Sequence, residues 1–360
     1  MDVAGERVAN TVTGTVRSSE LGVTLAHDHV FCVQPLVTEY QHVPEGAVGG
    51  VDDPTMVDAP VSLEHLWWIR QNWLSNRDNL VVTDPGVAID ELVRFAGAGG
   101  GTIVDPSVDG VGRNPLALAR VSRATGVNIV VGSGYYVDET HPEWLRGTSP
   151  DVIAARIESD VLNGIDDTNI RAGIIGEIGC TWPLTDSERR VLEASAIAQL
   201  STGAALMIHP GRDRRSPFEI VAHLEASGAL LSRVVIAHLD RTVQDASGLV
   251  ELAEMGPFIE LDMFGLETSQ YPYFWTGIDV LSDAQRIAII EALLESGLRD
   301  RILISHDICT KHRLARYGGH GYDHILRNVV PWMRRRGVTE EELESILVRN
   351  PADAFALLAP

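Results

Sequence analysis

The feature that most constrains this chain is an alternation along its whole length, in which short β-branched apolar runs are each followed by a segment of helical periodicity. Strands are predicted at 22–31, 101–108, 128–135, 172–179, 205–210, 234–239, 258–262 and 302–307. The helices between them have readable starts. Thr185-x-x-Glu188, Ser282-x-x-Gln285 and Thr339-x-x-Glu342 are capping boxes, and Ser149-Pro150 puts a proline where its missing N–H costs nothing. A crossover helix returns each strand parallel to the last. Eight such units favour a closed (β/α)8 TIM barrel over an open doubly wound sheet, which usually has about five or six strands. No glycine-rich nucleotide fingerprint follows any strand.

The 360 residues show no linker or low-complexity tract, so one domain spanning 1–360 is expected. A net charge of −21 argues against a nucleic-acid partner, which needs clustered Lys and Arg. The apolar runs are strand-length, too short to span a membrane, and residues 1–10 carry no signal-like apolar core. A cytoplasmic location is therefore expected. Three cysteines, Cys32, Cys180 and Cys309, cannot all pair and lack CxxC spacing.

The ends of the predicted strands carry the chemistry. His27 and His29 flank Asp28 at alternate positions, so the two imidazoles point the same way and Asp28 points opposite. The end of strand four carries Glu177, that of strand five His209, that of strand six His238 and that of strand eight Asp307, each after an apolar run. In barrels this C-terminal face is where reactions occur. Any one of these residues is readily explained as a polar strand end. Six converging on one volume are hard to bury without cations. His and carboxylate ligands suit two divalent ions, zinc or else manganese or cobalt. Such a pair shares a hydroxide and polarises an ester, lactone, amide or phosphoryl oxygen, and Asp307 is the natural group to accept the proton.

From 14–29 (GTVRSSELGVTLAHDH) through GEIG, MIHPGR, AHLDRT and SHDICTK to Gly321-Tyr322-Asp323-His324 and Asn350-Pro351, the chain resembles the phosphotriesterase-related branch of the amidohydrolase superfamily. The resemblance implies that His27, His29 and Asp307 hold the more buried metal and His209 and His238 the more exposed one. A strand-four carboxylate would bridge them. Phosphotriesterases and lactonases of the family use a carboxylated lysine there, but the only lysine here is Lys311. The matching position is Glu177, as in the phosphotriesterase homology group, with Cys180 a weaker alternative. Where phosphotriesterases place a relay histidine after the strand-seven aspartate, this chain has Met263, so a phosphotriester is at best a promiscuous substrate. Asp262, Asp240 and Arg241 are expected to support the ligands through hydrogen bonds.

Other residues carry two readings. Tyr135 and Tyr136 close strand three, where the family places an aromatic near the substrate, or they belong to the core. Arg212 meets an anionic substrate group or pairs with Asp213. Lys311, His312, Arg313 and Arg316 form a basic patch after strand eight, expected to recognise an anion or to balance acidic neighbours. The aromatic run 271–275 and the helix with Trp67, Trp68 and Trp73 wall a pocket or meet a partner subunit, and a homodimer is expected. The loop 34–61 is placed over the barrel mouth. His306 points away from the metals. The expected activity is hydrolysis of a lactone, ester or amide in a small, possibly anionic metabolite. The alternatives are phosphoester or phosphotriester hydrolysis and a catalytically inactive ligand-binding barrel.

Overall fold

A computed structural model describes residues 7–34, 54–268, 271 and 277–358. Eight parallel strands form the barrel: β1 Thr24–Leu25, β2 Thr102–Asp105, β3 Asn128–Ser133, β4 Ile174–Gly179, β5 Ala205–His209, β6 Val234–Ile236, β7 Phe258–Leu261 and β8 Ile302–Ile304. They pair in sequence order from β1 to β8. The expected first strand is cut short at Leu25, and the residues after it complete the ring in irregular form. Asp28 N–H donates to Val104 O on the β2 side, while His27 O accepts from Asp307 N and His29 N donates to Ile308 O on the β8 side.

Asp28 fastens that seam. Fully buried, it accepts from Ser305 Oγ (2.9 Å), His306 Nδ1 (3.0 Å) and Ile308 N (2.9 Å). Asp28 and His306 thus face each other across the seam.

Alternation sorts the apolar side chains. Val104, Val130, Ile174, Met207, Val235, Phe258 and Leu303 fill the barrel interior. Their neighbours Ile103, Ile129, Ile175, Ile208, Ile236, Ile259 and Ile304 face outward into the layer covered by helices. The expected capping boxes at Thr185, Ser282 and Thr339 are all formed, whereas Ser149 makes no side-chain cap and Pro150 alone starts its helix. An antiparallel hairpin, Val8–Thr11 with Gly14–Arg17, was not expected from the sequence. It plugs the N-terminal end of the barrel, with Ala9 and Leu21 joining the interior cluster beside Phe355. Among the described residues no helix is long and apolar enough to cross a membrane. Most of the loop 34–61 and of the aromatic run 271–275 lies outside the described residues.

Candidate metal centre

His209 simply ends the regular run of β5, but Glu177, His238 and Asp307 reach the barrel mouth through local breaks in regular structure. In β4 the pairing with β5 slips between Ile175 and Ile178, a bulge that turns Glu177 inward. Two glycines permit it. A Cβ on Gly132 would stand 1.9 Å from Gly176 O, and Gly176 itself adopts φ +126°. His238 (φ 55°) and Asp307 (φ 52°), just past β6 and β8, sit in the left-handed region, which costs such residues about 1–3 kcal/mol each. Hydrogen bonds hold them there: His238 N to Asp262 Oδ2 (3.0 Å), and Arg313 Nη1 to Asp307 O (2.7 Å).

The structure brings all six expected ligands together. His27, His29 and Asp307 form one group of potential metal ligands, and Glu177, His209 and His238 another. Glu177 lies between them. Its Oε1 is 2.5 Å from His209 Nδ1 and 3.3 Å from His238 Nε2, while its Oε2 is 3.4 Å from His27 Nε2 and 3.9 Å from His29 Nε2. Asp307 Oδ1 is 3.4 Å from His29 Nε2 and 3.8 Å from His27 Nε2. At 15% its side chain is the most exposed of the six, and it faces the central cavity. Cys180, the alternative to Glu177, does not line that cavity.

Supporting groups turn the rings. His29 Nδ1 donates to Ser107 Oγ (2.8 Å) and His238 Nδ1 to Asp262 Oδ1 (2.9 Å), leaving each Nε2 toward Glu177. His27 Nδ1 lies 3.3 Å from Asp262 and 3.6 Å from Glu260. Glu260 is a residue the sequence reading missed. It is fully buried, and neither of its oxygens has a hydrogen-bond partner. It stands two residues before Asp262, and the strand period puts both on one face, a signal that was available.

The electrostatics are those of a site short of positive charge. Burial pushes His27 and His238 down, yet nearby carboxylates outweigh it: Glu177, Asp262 and Glu260 raise His27 well above the usual range, and chiefly Asp262 raises His238 to about 10. Burial likewise opposes but does not prevent the depression of Glu177 by His209 and His27. Burial lifts Glu260 to about 7, with repulsion from Asp262 adding to it. Both nitrogens of His27 are buried without a hydrogen-bond partner. Divalent cations fit this donor set, because they supply the charge and the ligand bonds that the protein does not.

The remaining expected residues divide. Arg212, Arg241, Tyr136, Tyr271, Met263, Trp73 and Gln34 line the central cavity. Tyr135 does not. It packs on Trp144 (5.7 Å between centroids) and lines a separate cavity with Arg113 and Asp160, whereas Tyr136 puts its hydroxyl 3.3 Å from His209. By alternation along β3, Tyr136 continues the inward face of Val130 and Tyr135 the outward face of Ile129. Asp240 is drawn away from the ligands, into an ion pair with Arg286 (2.6 Å) and a bond from Met263 N (3.0 Å). Lys311 pairs with Asp78 and is absent from the cavity lining. Arg313, in the same basic run, bonds the carbonyls of Phe264, His306 and Asp307. These contacts make Lys311 and Arg313 braces of the turn after β8. Of the tryptophans, Trp67 is exposed and Trp68 packs in a small cluster with Met56, Val61 and Leu66.

Residues 7–355 match the Phosphotriesterase family. N-acetyltaurine hydrolase of Danio rerio is 43% identical over 342 residues, covering 95% of each chain. A resiniferatoxin-binding protein from Rhodobacter sphaeroides superposes with a TM-score of 0.89 at 36% identity, over 97% of this chain and 94% of that one. The phosphotriesterase homology protein of Escherichia coli, solved with phosphate in its active site, gives a TM-score of 0.74 at 26% identity, over 93% and 99%.

Proposed function

This chain belongs to the phosphotriesterase family, and from that premise we propose that it is a metal-dependent amidohydrolase acting on a small anionic N-acyl amine of the N-acetyltaurine type. The observation that carries the reading is the position of Glu177, one oxygen on His209 and His238 and the other beside His27 and His29. His27, His29 and Asp307 would hold one divalent cation and His209 and His238 a second, with Glu177 shared; zinc suits these donors, and manganese or cobalt can replace it. Bound there, such cations acidify water and polarise a carbonyl.

The chain's own groups do the rest. Asp307, the ligand open to the cavity, takes the proton of the attacking water and returns it to the leaving nitrogen. Water adds across the C–N bond, giving a carboxylate and an amine. Asp262 and Ser107 keep the imidazoles in the tautomer that presents Nε2. Trp73, Leu74 and Met263 put apolar surface into the cavity wall and limit water around the reacting carbonyl. Met263 offers no base for a phosphotriesterase-type relay, which ranks amides above phosphotriesters. The name of the Danio rerio relative ranks an amide above a lactone or ester. A homodimer in the cytoplasm remains the expected assembly and location.

The test is an assay of the purified protein, with zinc or manganese, on N-acetyltaurine, a set of lactones and an aryl phosphotriester. Amide turnover that stops on chelation and returns with metal is the expected result. Turnover of phosphotriesters alone overturns the proposal.

A further inference from the structure

We propose that Arg241, with Arg212 and Tyr271 beside it, is the receptor for an anionic terminus on the amine half of the substrate; this rests on the amidohydrolase reading above. Arg241 is buried and lines the central cavity next to His209. Its Nη1 donates to Tyr271 Oη (3.2 Å) and its Nη2 to the carbonyl of Pro210 (2.9 Å), with His209 Nε2 3.4 Å away. These are neutral partners. Among the described residues no carboxylate pairs with it, and its Nε is buried without an acceptor.

The contrast lies within the same molecule. Arg286 is equally buried, and there two carboxylates, Asp240 at 2.6 Å and Asp283 at 3.0 Å, neutralise it. A buried guanidinium left among neutral groups at a cavity wall is costly until an anion arrives. Arg212 doubles the positive charge. The guanidinium carbons of Arg212 and Arg241 lie 5.6 and 5.5 Å from the Tyr271 ring centroid, so both cations gather around one phenol. Both arginines also line an adjoining, more open cavity with Arg214, Thr242 and Gln244. They therefore stand between the metal centre and that second opening. Forked N–H donors suit the oxygens of a sulfonate or carboxylate.

Three amides of similar shape test this: N-acetyltaurine (sulfonate), N-acetyl-β-alanine (carboxylate) and N-propylacetamide (neutral). The parent is expected to favour an anionic amide over the neutral one by at least about 100-fold in kcat/KM, because the neutral tail brings no anion to the buried Arg241 guanidinium. In Arg241→Met that ratio falls to within about 10-fold, mainly through KM, and Arg241→Lys keeps an intermediate ratio. Equal use of the neutral amide by the parent overturns the proposal. So does an equal loss on all three substrates in Arg241→Met, which would reduce the residue to a brace for Pro210.

If no amide is hydrolysed, the functional reading fails and the receptor is judged separately by calorimetric titration of the metal-loaded protein with taurine. Binding weakened at least about 10-fold in Arg241→Met, with melting temperature and metal content retained, supports it. Absence of binding to the parent refutes it.

Discussion

Removing the Asp28 carboxylate should open the barrel at its seam. Three donors point at it: Ser305 Oγ, His306 Nδ1 and Ile308 N. In Asp28→Ala the serine hydroxyl can rotate to another acceptor, but the backbone N–H of Ile308 and the imidazole N–H are stranded. At about 1–3 kcal/mol for each unsatisfied buried donor, the loss is about 2–6 kcal/mol. That is a large part of a total stability of about 5–15 kcal/mol. Asp28→Asn is the finer probe. Its oxygen still serves Ile308, but its amide N–H2 meets the N–H of His306. The ring cannot change tautomer to escape, because His306 Nε2 already accepts from Ile325 N (3.2 Å). One clash of this kind should cost about 1–3 kcal/mol. Urea unfolding followed by tryptophan fluorescence, with chelator and with saturating metal, measures both variants. If both unfold within about 0.5 kcal/mol of the parent, a margin typical of ordinary surface changes, the seam does not depend on Asp28.

Three further outcomes follow from the site and its surroundings. Glu177→Ala should lose bound metal and hydrolysis together, read by elemental analysis and assay; full metal content in the variant would remove Glu177 from between the two groups. Gly132→Ala forces a methyl against the Gly176 carbonyl and should lower both stability and metal affinity, whereas Gly97→Ala, which meets open space on a helix, should be neutral or gain up to about 1 kcal/mol in the same melting assay. Burial, helped by Arg313 and Arg70, pushes His312 down to about 3. The unfolded chain takes up this proton near pH 6.5 and the folded chain does not, so the stability from the neutral ring is complete above that pH and falls on acidification by about 1.4 kcal/mol per unit. Between pH 6.5 and 5 the parent should therefore lose about 2 kcal/mol more than His312→Asn in urea titrations, and equal losses would contradict the assignment.

Much of this architecture was legible in the chain because its signals are local. An apolar run broken by His27, Glu177, His209, His238 or Asp307 announces a strand and its end within a few residues. The capping boxes are equally short-range. What could not be read depends on distant partners or on a change of backbone direction. Lys311 resembles a substrate-binding cation until Asp78, remote in sequence, is brought beside it. Asp240 and Arg241 are adjacent, yet one is drawn to the buried Arg286 and the other faces the cavity. Which of Tyr135 and Tyr136 meets the cavity depends on which face of β3 is interior, and that is decided by the packing of the whole barrel. The N-terminal hairpin escaped notice because its four-residue strands are too short for periodicity to stand out.

The stitch at Asp28 joins residues 277 positions apart in the chain, Asp28 and Ser305. Its neighbours His27 and His29 emerge in synthesis well before Asp307. A growing polypeptide therefore carries the first pair of imidazoles long before their carboxylate partner exists, and a chain released early can neither shut the ring nor complete the first ligand group. Reactivity in this protein waits on the closing of the seam between Asp28 and Ser305.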